Sequence, residues 1–379
     1  MPLYASPIGL EVAQAHIYDV IVVGAGPAGS SAAYHLASRG VDVLLVDRFA
    51  FPRDKRCGDA VMSPSLEEME LMGLREETME RFEKIERIGM WLKDLPGSYQ
   101  PVEGLRGYVA PRVEFDAMLC EHALRHGAGW LDRLSVQEVA VEESKARLHG
   151  SHMGQPVSLQ ARLVVAADGS GSRLARNLRA SIDQQTDPTA IAADALTAPQ
   201  DDRTRFTAMR GYYSGIEELT DALEFYFRAE AGTVYYWIFP CGQGLANVGV
   251  IASMAQLRAT RTELEGALAA FMQSPELEGR ALRARLKGRL GAAPIAAGLR
   301  GTVLYGERML CVGDAAALVN PISAEGISGA LWSGRVAAET TADALARGDC
   351  SMEALSPYGE AVREKYQVMY DMLLSSFHV

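Results

Sequence analysis

The chain has 379 residues, of which 48% are hydrophobic and 22% charged, with a formal net charge of −11 and a pI near 5.2. The length predicts two lobes, or one large lobe with an insertion, and the apolar content excludes an intrinsically disordered chain. Because the acidic balance would repel a polyphosphate, we expect no nucleic-acid partner.

The cysteines are scattered singly and none belongs to a CxxC pair, so neither a disulfide framework nor a zinc or other metal site is predicted. This usage favours a reducing cytoplasm. Residues 1–16 lack the pattern of a signal peptide, and no stretch approaches the roughly 18 apolar residues of a membrane span. We therefore expect a cytoplasmic protein without a transmembrane segment, with peripheral membrane contact at most.

The first ordered elements form a βαβ unit. Tyr18 to Val23 and Val41 to Asp47 are runs rich in β-branched apolar residues, as in buried parallel strands, and the alanine-rich Ser30 to Ser38 between them predicts a helix. The first strand and the helix are joined by Gly24-Ala25-Gly26-Pro27-Ala28-Gly29, a GxGxxG loop that lets the backbone approach a pyrophosphate at the helix N-terminus. Asp47 ends the second strand, where its carboxylate can accept hydrogen bonds from a ribose diol. The unit predicts a dinucleotide site but does not separate NAD from FAD.

Further along the chain, Val113 to Arg125 has helical spacing, and a meander of short strands follows it and ends in VVAADGSGSR at 164–173. Residues 180–290 mix strand-like and helix-like segments and predict a substrate lobe. Met309 to Val312 is a buried strand that runs into GDAAALV and a long helix, which returns the chain to the first lobe.

Two aspartate-glycine pairs separate the alternatives for the cofactor. Asp168-Gly169 and Gly313-Asp314 each follow a buried strand, and Gly326-Ile327 opens the last long helix. With the GxGxxG loop, they resemble the three fingerprints of the FAD-dependent family that includes para-hydroxybenzoate hydroxylase, the flavin halogenases and the geranylgeranyl reductases. The resemblance implies noncovalently bound FAD and an α/β fold, in which a Rossmann-type FAD-binding domain carries an inserted α+β substrate domain.

The resemblance also implies domain boundaries and further cofactor residues. The FAD-binding domain is expected over 17–60, 106–178 and 291–345, the substrate domain over 61–105 and 179–290, and a C-terminal helical segment over 346–379. Asp314 matches the aspartate that contacts the ribityl hydroxyls, and the helix that follows is expected to direct its N-terminus at the flavin pyrimidine. Arg112 matches an arginine near the FAD, and Arg48 is a further candidate.

Two local stretches bear on the branch of the family. In the strand-like run from Tyr235 to Pro240, alternate residues share one face, so Tyr235, Trp237 and Phe239 form an aromatic wall. The run resembles the YxWxFP sequence with which geranylgeranyl reductases line a polyprenyl pocket, whereas flavin halogenases carry WxWxIP. Lys55-Arg56-Cys57-Gly58-Asp59 resembles the cysteine loop that those reductases place beside flavin and substrate, which implies an active-site thiol at Cys57 and cofactor contact at Arg56.

This branch implies an FAD-dependent oxidoreductase that reduces carbon-carbon double bonds of an isoprenoid or similar apolar small molecule by hydride transfer from reduced flavin. Cys57, Tyr235 and Trp237 are the candidate catalytic residues. The sequence contains no second GxGxxG loop, so it predicts no separate nicotinamide domain. As the external reductant, NAD(P)H and reduced ferredoxin from an electron-donor protein are both compatible with the sequence. Two alternatives stay open: an FAD-dependent monooxygenase or halogenase of the same fold, and a non-redox flavin-binding cyclase.

Overall fold

The structure is a computed structural model that describes residues 6–92, 97–101, 107–185, 205–227, 235–260, 263–297, 302–320 and 323–376. The chain divides into two compact units, each assembled from separate stretches of sequence. Unit 1 comprises Met1–Arg53, Val113–Gln200 and Ala296–Val379, and unit 2 comprises Asp54–Arg112 and Asp201–Ile295.

The strands are, in chain order, β1 (Ile17–Val23), β2 (Val43–Val46), β3 (Ala60–Met62), β4 (Glu83–Ile85), β5 (Arg87–Leu92), β6 (Ser98–Pro101), β7 (Gly107–Val109), β8 (Gly129–Leu131), β9 (Leu134–Val141), β10 (Ala146–His152), β11 (Gln155–Ala166), β12 (Arg205–Ser214), β13 (Ala222–Phe227), β14 (Tyr235–Pro240), β15 (Leu245–Ser253), β16 (Arg285–Ala296), β17 (Tyr305–Gly306) and β18 (Met309–Cys311). The α-helices are α1 (Leu10–Ala15), α2 (Pro27–Ala37), α3 (Ser63–Leu71), α4 (Arg75–Arg81), α5 (Arg112–Arg125), α6 (Arg173–Gln185), α7 (Met254–Thr260), α8 (Leu264–Phe271), α9 (Ile327–Arg347) and α10 (Met352–Ser376). Short 3-10 helices cover Pro275–Leu277 and Gly313–Ala316.

Unit 1 is built on a mainly parallel sheet in the order β17-β18-β11-β1-β2-β8. Strand β1 pairs in parallel with β11 and β2, while β17, β9 and β10 add antiparallel strands. The residues Val20–Val23 and Val43–Val46 are buried throughout, as strands covered on both faces require. The predicted α/β fold with a Rossmann-type unit is confirmed.

Helices α2 and α9 lie very close to each other in unit 1. A Cβ at Gly334 would come within 2.3 Å of the carbonyl oxygen of Ala28 and 2.9 Å of the Ser31 Cβ. The Ser31 hydroxyl also donates a 2.8 Å hydrogen bond to the carbonyl of Leu331. Small residues therefore bring the helix behind the glycine loop into backbone contact with the last long helix.

Unit 2 contains a seven-stranded sheet in the order β16-β12-β15-β14-β13-β5-β6. One face of this sheet forms an apolar core with α8, where Phe271 stacks on Tyr236 at 4.5 Å between ring centroids. Since successive residues of a strand point to opposite faces, Tyr235, Trp237 and Phe239 of β14 lie on the other face. That second face carries the candidate substrate residues.

The loop that contains Cys57 belongs to unit 2. We define this Cys57 loop as residues 54–59. Its carbonyl groups are held by Arg210 of β12 and Asn247 of β15, two strands of unit 2. The predicted domain boundaries stay a prediction. In the described part of the chain, no helix combines the length and apolar character needed to cross a membrane.

Candidate functional site

The glycine loop after β1 has a shape that only glycine allows at two positions. Gly24 has a φ of +106°, and a Cβ there would lie 2.3 Å from the carbonyl oxygen of Ala167. A Cβ at Gly29 would lie 1.8 Å from the carbonyl oxygen of Gly24. The loop thus closes tightly onto the start of α2, which begins at Pro27. At Gly26 the backbone is open, since the nearest atom to a Cβ there is the Arg53 Nη2 at 3.8 Å.

Asp47 is buried at the end of β2 and binds the glycine loop directly. Its Oδ2 accepts a 2.9 Å hydrogen bond from the backbone amide of Ala25, and its Oδ1 accepts one of 2.9 Å from Phe49. Each carboxylate oxygen has a second lone pair for a further donor. The predicted contact with a ribose diol stays a prediction.

Arg53 is a cation beside this loop that the sequence analysis missed. Its Nη1 donates a 2.7 Å hydrogen bond to Asp116, which is fully buried, and its Nη2 lies 3.6 Å from Oδ2 of Asp47. Asp116 belongs to α5, far from Arg53 in sequence. No motif of the sequence contains either residue, so this ion pair could not be predicted from local spacing.

The second fingerprint lies next to the first. A Cβ at Gly24 would come within 3.2 Å of the Asp168 Cα, so the turn after β11 packs against the turn after β1. The Asp168 carboxylate accepts hydrogen bonds from the Ser172 hydroxyl and from the backbone amide of Arg173 at 3.0 Å. It therefore caps α6, while Gly169 has a φ of +83° and open space where a Cβ would be.

The third fingerprint meets the same region. Gly313 has a φ of +58°, and a Cβ there would lie 2.8 Å from the Cβ of Ala28 in the first turn of α2. The side chain of Asp314 is directed at the start of α9, because its Oδ1 would lie 3.4 Å from a Cβ at Gly326. Helix α9 begins at Ile327, the residue after Gly326.

The carboxyl ends of parallel neighbours β1, β11 and β18 lie at one edge of the sheet, so these turns form one site at the place where α/β folds bind dinucleotides. Gly26 precedes the first turn of α2, which contains no acidic residue, and its helix start has no side-chain cap among the described residues. Such an end attracts a pyrophosphate. The residues of unit 1 therefore fit FAD.

The three candidate arginines lie in different surroundings. Arg48 is exposed, with its guanidinium 4.9 Å from the centroid of the Phe49 ring. Arg56 is exposed and lies over Gly291 of β16, where a Cβ would come within 2.2 Å of Nε. Arg112 is buried at the start of α5. Cofactor contact at all three positions stays a prediction.

The aromatic side chains of unit 2 form a continuous face across β13 and β14. Trp237 lies 6.2 Å from Tyr235 and 6.1 Å from Phe239 between ring centroids. Phe225 of β13 contacts Tyr235 at 5.8 Å and Phe239 at 5.1 Å. We call Tyr235, Trp237, Phe239 and Phe225 the aromatic face. The alternation of the strand predicts the shared side of the first three, whereas their role in substrate binding stays a prediction.

Two glycines leave space for the indole ring of Trp237. Gly249 is paired with Trp237 on the neighbouring strand, and a Cβ there would lie 2.2 Å from the indole ring. Across the face, a Cβ at Gly58 would lie 3.0 Å from the Phe239 ring and 3.7 Å from Nε1 of Trp237. The Cys57 loop therefore lies directly against the aromatic face.

Cys57 is a half-buried free thiol close to Tyr235. Burial, and in second place the charge interaction with Cys57, raise the pKa of the Tyr235 phenol above its ordinary value of 10.0. Tyr235 consequently keeps its proton through the neutral and mildly alkaline range. Cys57 and Tyr235 thus lie near each other, and a phenol of this kind is a weak acid. Their catalytic roles stay predictions.

The same sheet face also carries a cluster of polar residues that was not predicted from the sequence. Tyr212 of β12 and Asn247 of β15 both donate hydrogen bonds to the carboxylate of Asp59 in the Cys57 loop. Asn247 and Arg210 of β12 both donate to the carbonyl of Cys57. Of these residues, only Asp59 stands in a predicted motif. The others belong to strands distant in sequence from the Cys57 loop, and no local spacing marks them.

Comparison with known proteins gives a consistent result. The family described as FAD binding domain matches residues 17–217. A digeranylgeranylglycerophospholipid reductase of Methanopyrus kandleri is 30% identical over 93% of this chain and 88% of its own, and a menaquinone reductase of Mycobacterium tuberculosis is 32% identical over 85% and 76%. A solved geranylgeranyl bacteriochlorophyll reductase-like protein from Thermoplasma acidophilum has a TM-score of 0.78 and 25% identity, covering 92% of this chain and 84% of its own. A flavin-dependent brominase, at 21% identity and a TM-score of 0.77 with 94% and 86% covered, shares the fold.

Proposed function

Because the chain belongs to the geranylgeranyl reductase family of FAD-dependent oxidoreductases, we propose that it reduces carbon-carbon double bonds of an isoprenoid or similarly apolar substrate. The aromatic face of unit 2 carries this proposal. Trp237 and Phe239 are buried there beside the Cys57 loop, and the one polar group of the indole is already bonded to Asn247 at 2.9 Å. A surface of this composition favours an apolar ligand.

When bound, reduced FAD would supply a hydride to one alkene carbon, and a proton would complete the other. The glycine loop and the turns at Asp168 and Asp314 in unit 1 would hold the cofactor. In unit 2, the aromatic face holds the alkene and excludes water, which fixes its orientation for the reaction. Tyr235 keeps its proton at the working pH, so it serves first as a positioning group.

The experiment that tests the proposal is anaerobic. The FAD-loaded protein is reduced with one equivalent of dithionite, geranylgeranyl diphosphate is added, and flavin absorbance and product mass are followed. We expect the flavin to reoxidise without oxygen and the product to gain two hydrogen atoms for each double bond reduced. A flavin that stays reduced until air is admitted, and then shows an oxygen-dependent transient, would support a monooxygenase or halogenase instead.

A substrate turned over without any reductant would support the cyclase alternative.

For the external reductant, the same assay without dithionite compares NADPH, NADH and reduced ferredoxin. The donor that reduces the flavin under anaerobic conditions is the physiological candidate. We propose either a nicotinamide or an electron-donor protein, since both deliver electrons to the same flavin.

A further inference from the structure

We propose that Asn247 is a positioning residue that fixes the Cys57 loop and the Trp237 indole to each other, and that Arg210 and Asp59 complete this cluster. The inference rests on the proposed function, because Cys57 and Trp237 are the groups predicted to face the substrate. It assigns a role to Asn247 and Arg210, which lie outside the sequence motifs, and to Asp59 at the end of the Cys57 loop.

Asn247 uses both ends of its amide, and it is fully buried. Its Oδ1 accepts a 2.9 Å hydrogen bond from Nε1 of Trp237. Its Nδ2 donates to the main-chain carbonyl of Cys57 at 2.7 Å and to Oδ2 of Asp59 at 2.8 Å. One side chain therefore links the indole of the aromatic face to two positions of the Cys57 loop.

Arg210 holds the same loop from the next strand. Its Nε donates to the carbonyl of Cys57 at 3.3 Å, and its Nη2 donates to the carbonyl of Lys55 at 2.9 Å and to the Asp54 carboxylate. The arginine is buried, with 3% of its surface exposed. A planar guanidinium with fixed donor directions suits a loop whose carbonyl groups must keep one geometry.

Asp59 closes the cluster at the end of the loop. It has a φ of +67°, and its Oδ2 accepts a 2.6 Å hydrogen bond from the Tyr212 hydroxyl in addition to the one from Asn247. Its Oδ1 is buried, without a hydrogen-bond partner within the described ranges. A non-glycine residue in the left-handed region persists only where its surroundings hold it, and here the two donors do so.

The opposite side of the same sheet offers a comparison. There, Glu224 is also buried, and it accepts a 2.7 Å hydrogen bond from Tyr226 and ion-pairs with Arg280 at 3.0 Å. Of these residues, Tyr226 belongs to the apolar core around α8. If a buried polar cluster only stabilises the sheet, a substitution in it, as at Glu224, should lower the Tm and leave turnover and Cys57 alkylation unchanged. If the cluster positions the Cys57 loop, a substitution should change turnover and alkylation as well.

The test uses Asn247→Asp in the FAD-loaded protein. An aspartate can still accept from the Trp237 indole, but it loses the donation to Cys57 and faces the Asp59 carboxylate. We expect the rate of anaerobic flavin reoxidation by geranylgeranyl diphosphate to fall by up to about 100-fold with a smaller change in KM, as a displaced reacting group would cause. Iodoacetamide alkylation of Cys57, measured by peptide mass mapping, should become several-fold faster.

The double variant Asp59→Asn/Asn247→Asp keeps the test valid if the single variant folds poorly. It restores a hydrogen bond between positions 59 and 247 with the donor reversed, but it leaves the Cys57 carbonyl without its amide donor. We expect the Tm to recover while turnover stays low and alkylation stays fast. Glu224→Gln is the matched control, with a lower Tm but wild-type turnover and alkylation.

Recovery of turnover together with Tm in the double variant would overturn the proposal, and so would unchanged alkylation of Cys57 in both variants. The alkylation measurement needs no substrate. If the wild-type protein fails to reduce any isoprenoid, the proposed function fails, while alkylation still decides whether Asn247 fixes the Cys57 loop.

Discussion

The protonation of Asp59 depends on its burial in the folded protein. Burial raises its pKa from 3.8 to about 6, although the charge of Arg210, the hydrogen bonds from Tyr212 and Asn247 and the charge of Arg112 all act in the opposite direction. Desolvation is therefore the larger effect. At neutral pH the folded protein holds a buried carboxylate that would be more stable in water.

This shift predicts a pH dependence of stability. The pKa of Asp59 is higher in the folded protein than in the unfolded chain, so the protonated carboxyl group favours the folded state. Its contribution to the free energy of unfolding is complete below about pH 4 and is lost as the pH rises through about 6. The loss corresponds to about 3 kcal/mol. We expect the difference in Tm, Asp59→Asn minus wild type, to increase between pH 4.5 and pH 7, as measured by calorimetry.

A matched pair of tyrosine variants checks the assignment. Tyr212→Phe removes a hydrogen bond that lowers the pKa of Asp59, so the loss of stability should extend to higher pH. Tyr226→Phe removes a comparable hydrogen bond from Glu224 on the other sheet face and should leave the window unchanged. A Tm difference between Asp59→Asn and wild type that does not vary with pH would show that Asp59 does not titrate in this range.

At the scale of elements, the cofactor contact predicted for α2 depends on how its first turn meets the glycine loop. In Gly29→Ala, the new Cβ would lie 1.8 Å from the carbonyl oxygen of Gly24 and 3.1 Å from the Cβ of Ala167, and a clash with a backbone oxygen cannot be relieved by turning a side chain. We expect the purified variant to contain little or no FAD, because the helix start must move away from the pyrophosphate. Flavin absorbance per protein and equilibrium binding to the apoprotein measure this loss.

Gly9→Ala provides the control for this substitution. Gly9 precedes α1 in the same unit, and the nearest atom to a Cβ there lies at 3.9 Å. This variant should bind FAD like the wild type. Full flavin occupancy in Gly29→Ala would mean that the loop can rearrange and that the tight turn is not required.

The same elements show how far the sequence predicts the molecule. The strand, glycine loop and helix from Tyr18 onward are encoded locally, since burial, turn and helix start follow one another within a few residues. The aromatic strand β14 is equally local, because alternation places Trp237 and Phe239 on one side. The Rossmann-type unit and the family could therefore be predicted from sequence alone.

The polar cluster could not be predicted, for a physical reason. Arg210 and Asn247 reach the Cys57 loop from strands 153 and 190 residues away. Their position depends on the register of β12 against β15, in which Tyr212 pairs with Asn247. Such a register is a property of the folded sheet, and no spacing within one segment of the chain carries it.

At the scale of the whole molecule, each unit has its own apolar core. That of unit 1 surrounds the parallel sheet, with Val22, Leu45 and Val164 fully buried, and that of unit 2 lies under α8. The residues that fit FAD belong to unit 1. A ligand stabilises the state that binds it by mass action, by about 2.7 kcal/mol at 100 times its Kd.

We therefore expect FAD to slow amide hydrogen exchange most strongly in unit 1. Peptides covering β1 and α2, and those covering the turn after β18, should gain protection when the apoprotein is titrated with FAD, because the cofactor binds only the folded loops. Peptides of the unit 2 core, such as α8 with β15, should gain less.

Exchange is measured by mass spectrometry at matched pH and temperature, and Gly29→Ala, which loses the binding loop, should abolish the difference. Equal protection of both units by FAD would show that the chain opens as one cooperative body, and would contradict the assignment of the cofactor's stabilising effect to unit 1.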